Sequence, residues 1–397
     1  KINLSNPSIG FYEQNPESWY NATLKCLNKL KKEKNKEFSS VKGMGISGQM
    51  HGATLIDKKY DLLGPCILWN DTRSMQQCRK MEKKYPQLRS ESGNIAMPGF
   101  TAPKILWIKD NEPKKFKKIY KVLLPKDYNS PVVLSSPHSG KNYSQEFLAI
   151  SRLEIQDLRR SEDCYVSDLF DFAPKFGVPL VSAVFPRSYI DPNREPYELD
   201  PDMFDGALPP YVKTTSDRVK AGFGTIARLV ANGAEIYRKK INFEDAQNRV
   251  KSLYKPYHDE LSRLVLHAHK NHGFAVLLDC HSMPSCGGTN DRDQGRRRAD
   301  IVLGDCYGKS CSKKVVDYAE QTLVSLGFSV LRNDPYAGAY TTKHYGKPTK
   351  NIHALQIEIN RSLYMDELRL ERSSGYSSLV KNLGFFVEAL STINVYD

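Results

Sequence analysis

An α/β protein, with a layered domain behind a shorter basic segment, is the fold class the sequence predicts, and three observations lead there. From Pro131 onward, apolar runs of strand length alternate with amphipathic stretches of helix length, the pattern of a sheet covered by helices. Charge is partitioned: residues 1–128 carry 24 basic against 12 acidic side chains, residues 129–397 carry 34 against 33. Three of the later apolar runs end in, or carry, His138, His281 or Glu358, at the strand ends where open α/β sheets build their sites.

The 397 residues suffice for two domains and a sizeable core. With 40% hydrophobic and 26% charged residues the chain reads as globular, neither disordered nor collagen-like. No apolar run approaches the roughly 18 residues of a membrane span. Lys1–Tyr12 carries no basic-then-apolar leader, and the eight cysteines form no Cys-x-x-Cys pair, so reduced thiols in the cytoplasm are expected. The basic excess lies in lysine-rich helical stretches such as 30–36 and 114–121 without aromatic interleaving, so a solvated face is expected and no nucleic acid partner.

In order along the chain, Pro16 to Leu30 predicts a capped helix with Trp19, Ala22, Leu24, Leu27 and Leu30 near helical spacing. Val41 to Ile46 and Ala53 to Ile56 predict strands around the tight segment Ser47 to Gly52. Pro65 to Trp69 is extended, and Lys104 to Asn111, Lys115 to Tyr120 and Val122 to Tyr128 close the first domain, 1–128. The second domain, 129–397, has strands at Val132–Ser135, Leu180–Phe185, Phe274–Leu278, Asp300–Leu303 and Ala354–Ile359. Its helices are Phe243 to Asn271, interrupted at Pro256 and ended by Gly273, and Ser312 to Leu326.

On the last strand Leu355, Ile357 and Ile359 share one face while Gln356 and Glu358 share the other, so an apolar strand presents a carboxylate to a polar side. A mononuclear zinc site wants two imidazoles, a carboxylate and an open position, with a nearby Glu as base. His138 and His281 offer the imidazoles, and Glu162-Asp163 the carboxylate. The loop Phe185 to Arg194 concentrates Arg187, Asn193 and Arg194, suited to gripping carboxylates by forked hydrogen bonds. His267, His269 and His272 fall on different faces of one helix and do not converge. Gly304 to Ser310 is one residue too short between its glycines for a phosphate loop, and Arg296-Arg297-Arg298 reads as a solvated loop.

At these residues the second domain resembles the N-formylglutamate amidohydrolases. The likeness rests on Ser135-Ser136-Pro137-His138-Ser139-Gly140, Leu158 to Asp163, Arg187 to Pro201, Asp279-Cys280-His281-Ser282 and Ala354 to Met365. It implies a phosphorylase/hydrolase-like α/β/α sandwich related to zinc carboxypeptidases, and metal-dependent release of formate from N-formyl-L-glutamate, chemistry of the histidine-degradation type. His138, Asp163 and His281 would hold a divalent metal of the Zn2+ kind, Glu358 would relay the proton, and Arg187, Asn193 and Arg194 would bind a small acidic substrate. The relatives place a ligand Glu three positions after the first His; Lys141 stands there here, which leaves the carboxylate ligand between Asp163 and Glu162, with Asp163 ahead. A related N-acyl amino acid amidohydrolase is the alternative within this architecture.

The first domain resembles the amino-terminal part of xylulokinase and other FGGY carbohydrate kinases, an incomplete actin-like, ribonuclease H-like fragment. Glu13 to Trp19, Ile46 to Gly52, Trp69 to Arg73 and Pro98 to Tyr128 carry it, and Met50, His51 and Asp71 would line a sugar pocket. The family's phosphate loop is absent from the segment, and the sequence has become hydrolase-like where the nucleotide domain would stand, so sugar binding by a remnant is the alternative function and phosphoryl transfer is not expected.

Overall fold

Asn15 starts the first helix: its side chain accepts the Glu17 amide at 2.9 Å, Pro16 takes the first helical position, and the helix runs Pro16–Glu33. The computed structural model describes residues 2–46, 48, 50–56, 61–112, 120–230, 233–288, 291 and 293–395, which fall into two units, Lys1–Lys117 and Lys118–Asp397.

In the first unit the helix Pro16–Glu33 buries no residue, and Leu30 on its apolar stripe is 50% exposed. β1 (Glu13–Gln14) pairs antiparallel with β2 (Cys66–Ile67), and Ala53, Ile67 and Ile108 form a small core with Leu55 and Trp107. The strands expected at 41–46 and 53–56 do not form. Val41, Met44 and Ile46 are exposed and bear no ladder among the described residues, while Ala53 and Ile56 make single bridges to Ile67 and Leu62. A β run without a paired neighbour leaves its backbone to water. Ser47 and Gln49 of the tight segment, and most of Lys115 to Tyr120, lie outside the described residues.

The second unit is built on a seven-stranded mixed sheet. Its strands are β3 (Tyr120–Leu123), β4 (Val132–Ser136), β5 (Leu180–Ala183), β6 (Ala275–Met283), β7 (Ile301–Gly304), β8 (Val330–Arg332) and β9 (Ile352–Asn360), in the order β3-β5-β4-β6-β9-β7-β8. The neighbours β5, β4, β6 and β9 run parallel, whereas β3 pairs antiparallel with β5 and β7 antiparallel with β9. β3 therefore belongs to the hydrolase-like sheet, and the boundary between units falls before it rather than after Tyr128.

Alternation along the strands sorts the two faces. Val132, Leu134, Val276, Leu278, Leu355, Ile357 and Ile359 pack under the helices Lys313–Ser325 and Tyr376–Ser391. Val133, Ala275, Leu277 and Ala354 pack under the helix Lys255–His272, giving an α/β/α sandwich. The irregularity expected at Pro256 is a wider turn: π-helical Val250–Tyr254 joins Phe243–Arg249 to Lys255–His272, and Pro256 sits in the first turn of the latter. Arg298 is not solvated as expected but buried against Asp291 and Asp293 at 2.7 Å each.

Because β3 covers the β5 edge, a chain beginning at Lys118 should stay in solution and fold with a melting temperature close to that of the second unit in the full chain. One beginning at Asn129 should lose about 2–4 kcal/mol through the uncovered edge and aggregate, a difference read by urea titration and light scattering.

Candidate metal centre

Parallel pairing of β4 and β6 sets Ser135 opposite Asp279, and from that register the two imidazoles meet. His138 follows β4 in the bend Pro137 to Gly140; His281 lies within β6, which extends past the expected end at Leu278. Their ring centroids are 4.7 Å apart. Gly140 is required here, because a Cβ would overlap the Phe185 carbonyl against which the bend packs. The Asp163 amide donates to the His138 carbonyl at 3.1 Å, which brings its carboxylate alongside.

Asp163 Oδ2 lies 2.9 Å from His281 Nδ1 and 3.3 Å from His138 Nδ1. Donor atoms of the three side chains all fall within 4.8 Å of one another, and all three residues are buried. The outer ring nitrogens are held as well: His138 Nε2 lies 2.7 Å from Asp191 Oδ1, and His281 Nε2 lies 2.9 Å from Asp279 Oδ2. Ser135 Oγ donates to Asp279 Oδ1 at 3.0 Å and is within 2.9 Å of the Tyr257 hydroxyl. A carboxylate behind each imidazole places the ring proton on Nε2 and aims the Nδ1 lone pair inward. Three acceptors then converge with no donor between them, which suits a divalent cation of the zinc type. Without a cation the cluster takes up protons instead. Burial opposes a charge on His281, but Asp279 and Asp163 outweigh it and raise that imidazole well above its ordinary value. Burial likewise opposes ionisation of Asp163, yet hydrogen bonds from His138 and His281 hold it well below the usual carboxylate range.

Glu358 stands opposite His281 in the β6–β9 register. Gln356 Nε2 donates to its Oε1 at 2.7 Å. Burial pushes the Glu358 carboxyl up to about 7, against the pull of His281, Arg361 and Arg187 and with Asp163 adding to the rise. Tyr336 completes this side: burial and Glu358 push its hydroxyl up to about 12.

Other anticipated residues are placed less simply. Glu162 turns away, accepting from Tyr143 Oη at 2.6 Å and Arg159 Nε at 3.3 Å, so Asp163 is the convergent carboxylate. Lys141 is exposed, 4.0 Å from Asp168. Arg187 donates to Asp191 Oδ2 at 2.8 Å and lies 4.0 Å from Asp163 Oδ1, beside the cluster. Arg194 is half-buried, donating to the carbonyls of Phe223 and Asn193, and desolvation pulls it down to about 10. Asn193, expected to bind substrate, is committed to the framework: its Oδ1 accepts the Thr341 amide at 2.8 Å and its Nδ2 donates to Asp279 at 2.9 Å. Its alternation-independent loop position gave no sign of that. Asp279 could have been found, since it shares a strand face with His281 two residues on; Asp191 stood out only as a charge partner of the arginines.

In the first unit Met50 is 71% exposed, whereas Asp71 is fully buried and accepts from Arg73 Nη2 at 2.8 Å and the Tyr12 amide at 2.7 Å. The His51 carbonyl accepts Lys104 Nζ at 2.8 Å, and its ring lies 4.9 Å from Phe100. Lys104, which also feels the Asp71 charge, thus stands by both the His51 carbonyl and the Asp71 carboxylate. Arg73, stacked 4.0 Å over Phe11, draws the Asp71 carboxylate into the interior.

Known proteins match the chain in two stretches that overlap between residues 130 and 160. The N-terminal domain model of the FGGY family of carbohydrate kinases matches residues 1–160. Xylulose kinase of Escherichia coli strain K12 is 48% identical over 128 residues, 32% of this chain but 26% of that enzyme, so the chain spans only about a quarter of the xylulose kinases it matches. N-formylglutamate deformylase of Pseudomonas putida is 27% identical over 242 residues, 60% of this chain and 82% of that protein. The crystal structure of an N-formylglutamate amidohydrolase from Ralstonia eutropha JMP134 superposes with a TM-score of 0.62 at 34% identity, covering 68% of this chain and 95% of that one. The N-formylglutamate amidohydrolase model itself matches residues 130–365, more than half of the sequence, and the chain belongs to that family.

Proposed function

We propose that the second unit hydrolyses the formamide of N-formyl-L-glutamate to L-glutamate and formate, with one zinc ion held by His138, Asp163 and His281. The observation that carries this reading is the convergence of three buried acceptors beside a glutamate near neutrality, in a member of this family. When bound, the ion would polarise the formyl oxygen and lower the pKa of water. Glu358, poised near 7, takes the proton of the attacking water and hands it to the departing amine. Arg187 and Arg194, fixed around Asp191, offer guanidinium groups to the substrate carboxylates and so orient the formamide. Asn193 serves by holding Asp279, the carboxylate behind His281. Asp191 and Asp279 keep both imidazoles in the tautomer that leaves Nδ1 free. A cytoplasmic site of action is part of this proposal; among the described residues no helix is long and apolar enough to cross a membrane.

Three outcomes are expected. Formate release from N-formyl-L-glutamate, followed by coupled formate oxidation, should vanish after chelator treatment and return with added zinc; release unaffected by chelation overturns the metal-dependent reading. Asp163→Asn should lower metal retention on dialysis about a hundredfold, whereas Glu162→Gln, whose partners are Tyr143 and Arg159, should retain close to one ion per chain by atomic emission. Glu358→Gln should lower kcat by about 10²–10⁴ at unchanged metal content, and equal turnover would remove it from the proton path.

A further inference from the structure

Asp163 has two carboxylate oxygens, and only Oδ2 faces the imidazoles. The other is held from behind by Arg361, whose Nη2 lies 3.2 Å from Asp163 Oδ1 and donates to the Glu162 carbonyl at 2.9 Å. Arg361 Nε donates to Ser282 Oγ at 3.1 Å, next to His281. One guanidinium thus ties the loop carrying one acceptor to the strand carrying another. Its own backbone is anchored. It follows β9 directly, in the 3-10 turn Arg361–Leu363, which the Asn360 side chain caps by accepting the Ser362 amide at 3.0 Å. Asn360 Nδ2 in turn donates to the carbonyls of Arg298 and Ala299. Three residues on, the Tyr364 hydroxyl donates to the Cys164 carbonyl at 2.9 Å, so the segment 361–364 grips the 162–164 loop at both ends. Arg187 Nη1, at 4.0 Å from the same Oδ1, is beyond hydrogen-bond reach.

We propose that Arg361 is a positioning residue that restricts Asp163 to a single inward oxygen and fixes it relative to His281. The inference rests on the metal-centre reading above. A carboxylate free at both oxygens can offer both to a cation and fill a position that a hydrolytic centre must leave open for its reactants. Arg361 keeps Oδ1 occupied by a charge-assisted hydrogen bond, and its fork geometry does so while also reading the Ser282 hydroxyl.

Cobalt(II) is the probe, because its visible absorption weakens as coordination number rises from four. The full chain is loaded with one equivalent of cobalt, and spectra, cobalt affinity by competition with a chromophoric chelator, kcat and KM are measured for wild type, Arg361→Met and Ser282→Ala, with circular dichroism as the folding control. Wild type should bind one equivalent with an intense band. Arg361→Met should keep its cobalt stoichiometry while its band weakens by about twofold or more and kcat falls about tenfold or more with little change in KM. Ser282→Ala, which removes the Nε acceptor and the hydroxyl beside Tyr364 but leaves Arg361 Nη2 on Asp163, should shift the spectrum the same way by less, and it decides the matter if Arg361→Met does not fold. Wild-type spectra in both variants overturn the role of Arg361 and leave the metal centre standing. A wild-type chain that binds no cobalt overturns both.

Discussion

Three hydrogen-bond acceptors pointed at one another in a buried pocket form an arrangement that cannot stand alone. His138 Nδ1, His281 Nδ1 and Asp163 Oδ2 need positive charge between them, and the pocket is closed enough that bulk water supplies little of it. Protons can meet the need in part, as the elevated His281 imidazole indicates, but a proton serves one pair at a time. A divalent ion serves all three. The surrounding polar network follows from this constraint. Asp191 and Asp279 sit behind the imidazoles, Ser135 and Asn193 behind Asp279, and Arg187 behind Asp191. Each layer neutralises the charge or fills the lone pairs of the one inside it.

The sheet determines where that network lies. On β4, β6 and β9 the face that carries Val133, Ala275, Leu277 and Ala354 towards the amino ends carries Ser135, Asp279, His281, Gln356 and Glu358 towards the carboxyl ends. The opposite face is mainly apolar, through Leu278, Cys280, Ile357 and Ile359, with Ser136 and Ser282 at its carboxyl ends. One helix, Lys255–His272, covers the apolar part of the first face, and the polar part is left for loops. Strand pairing then aligns Ser135 with Asp279 and His281 with Glu358.

This logic explains what could be read from the sequence. Period-two alternation exposed Gln356 and Glu358 on one face, and strand-end position exposed His138 and His281, because both depend on local rules. Glu162 and Asp163 could not be separated locally: adjacent carboxylates differ only in which way the loop turns, and that is decided by the Asp163 amide bonding to His138 and by Arg159 and Tyr143 claiming Glu162. Asn193 and Arg361 were equally opaque, since their partners Thr341, Asp279, Asp163 and Ser282 lie far along the chain. In the first unit the apolar run at 41–46 carries strand propensity but no partner strand among the described residues, and propensity without pairing gives an exposed coil. A tight polar device there, Asp71 with Arg73 beside Phe11 and Trp107, is equally a matter of residues distant in sequence.

Two carboxyl groups in this site have been driven in opposite directions by neighbours they partly share. Both are buried, and burial raises both. Without a cation, Asp163 receives hydrogen bonds from the two protonated imidazoles, which outweigh the desolvation and keep it ionised, while Arg361 donates to its other oxygen. Glu358 feels His281, Arg361 and Arg187 through their charges, accepts from the neutral amide of Gln356, and has the ionised Asp163 working against its own ionisation, so burial prevails. The same asymmetry divides the labour. A group held far below neutrality can only bind, whereas one poised near neutrality can accept a proton in one half of a reaction and return it in the other. The separation arises from hydrogen-bond geometry rather than residue type: direct bonds from two imidazoles and a guanidinium fix Asp163 as a holder of charge and leave Glu358, across the β6–β9 register, as the carrier of protons.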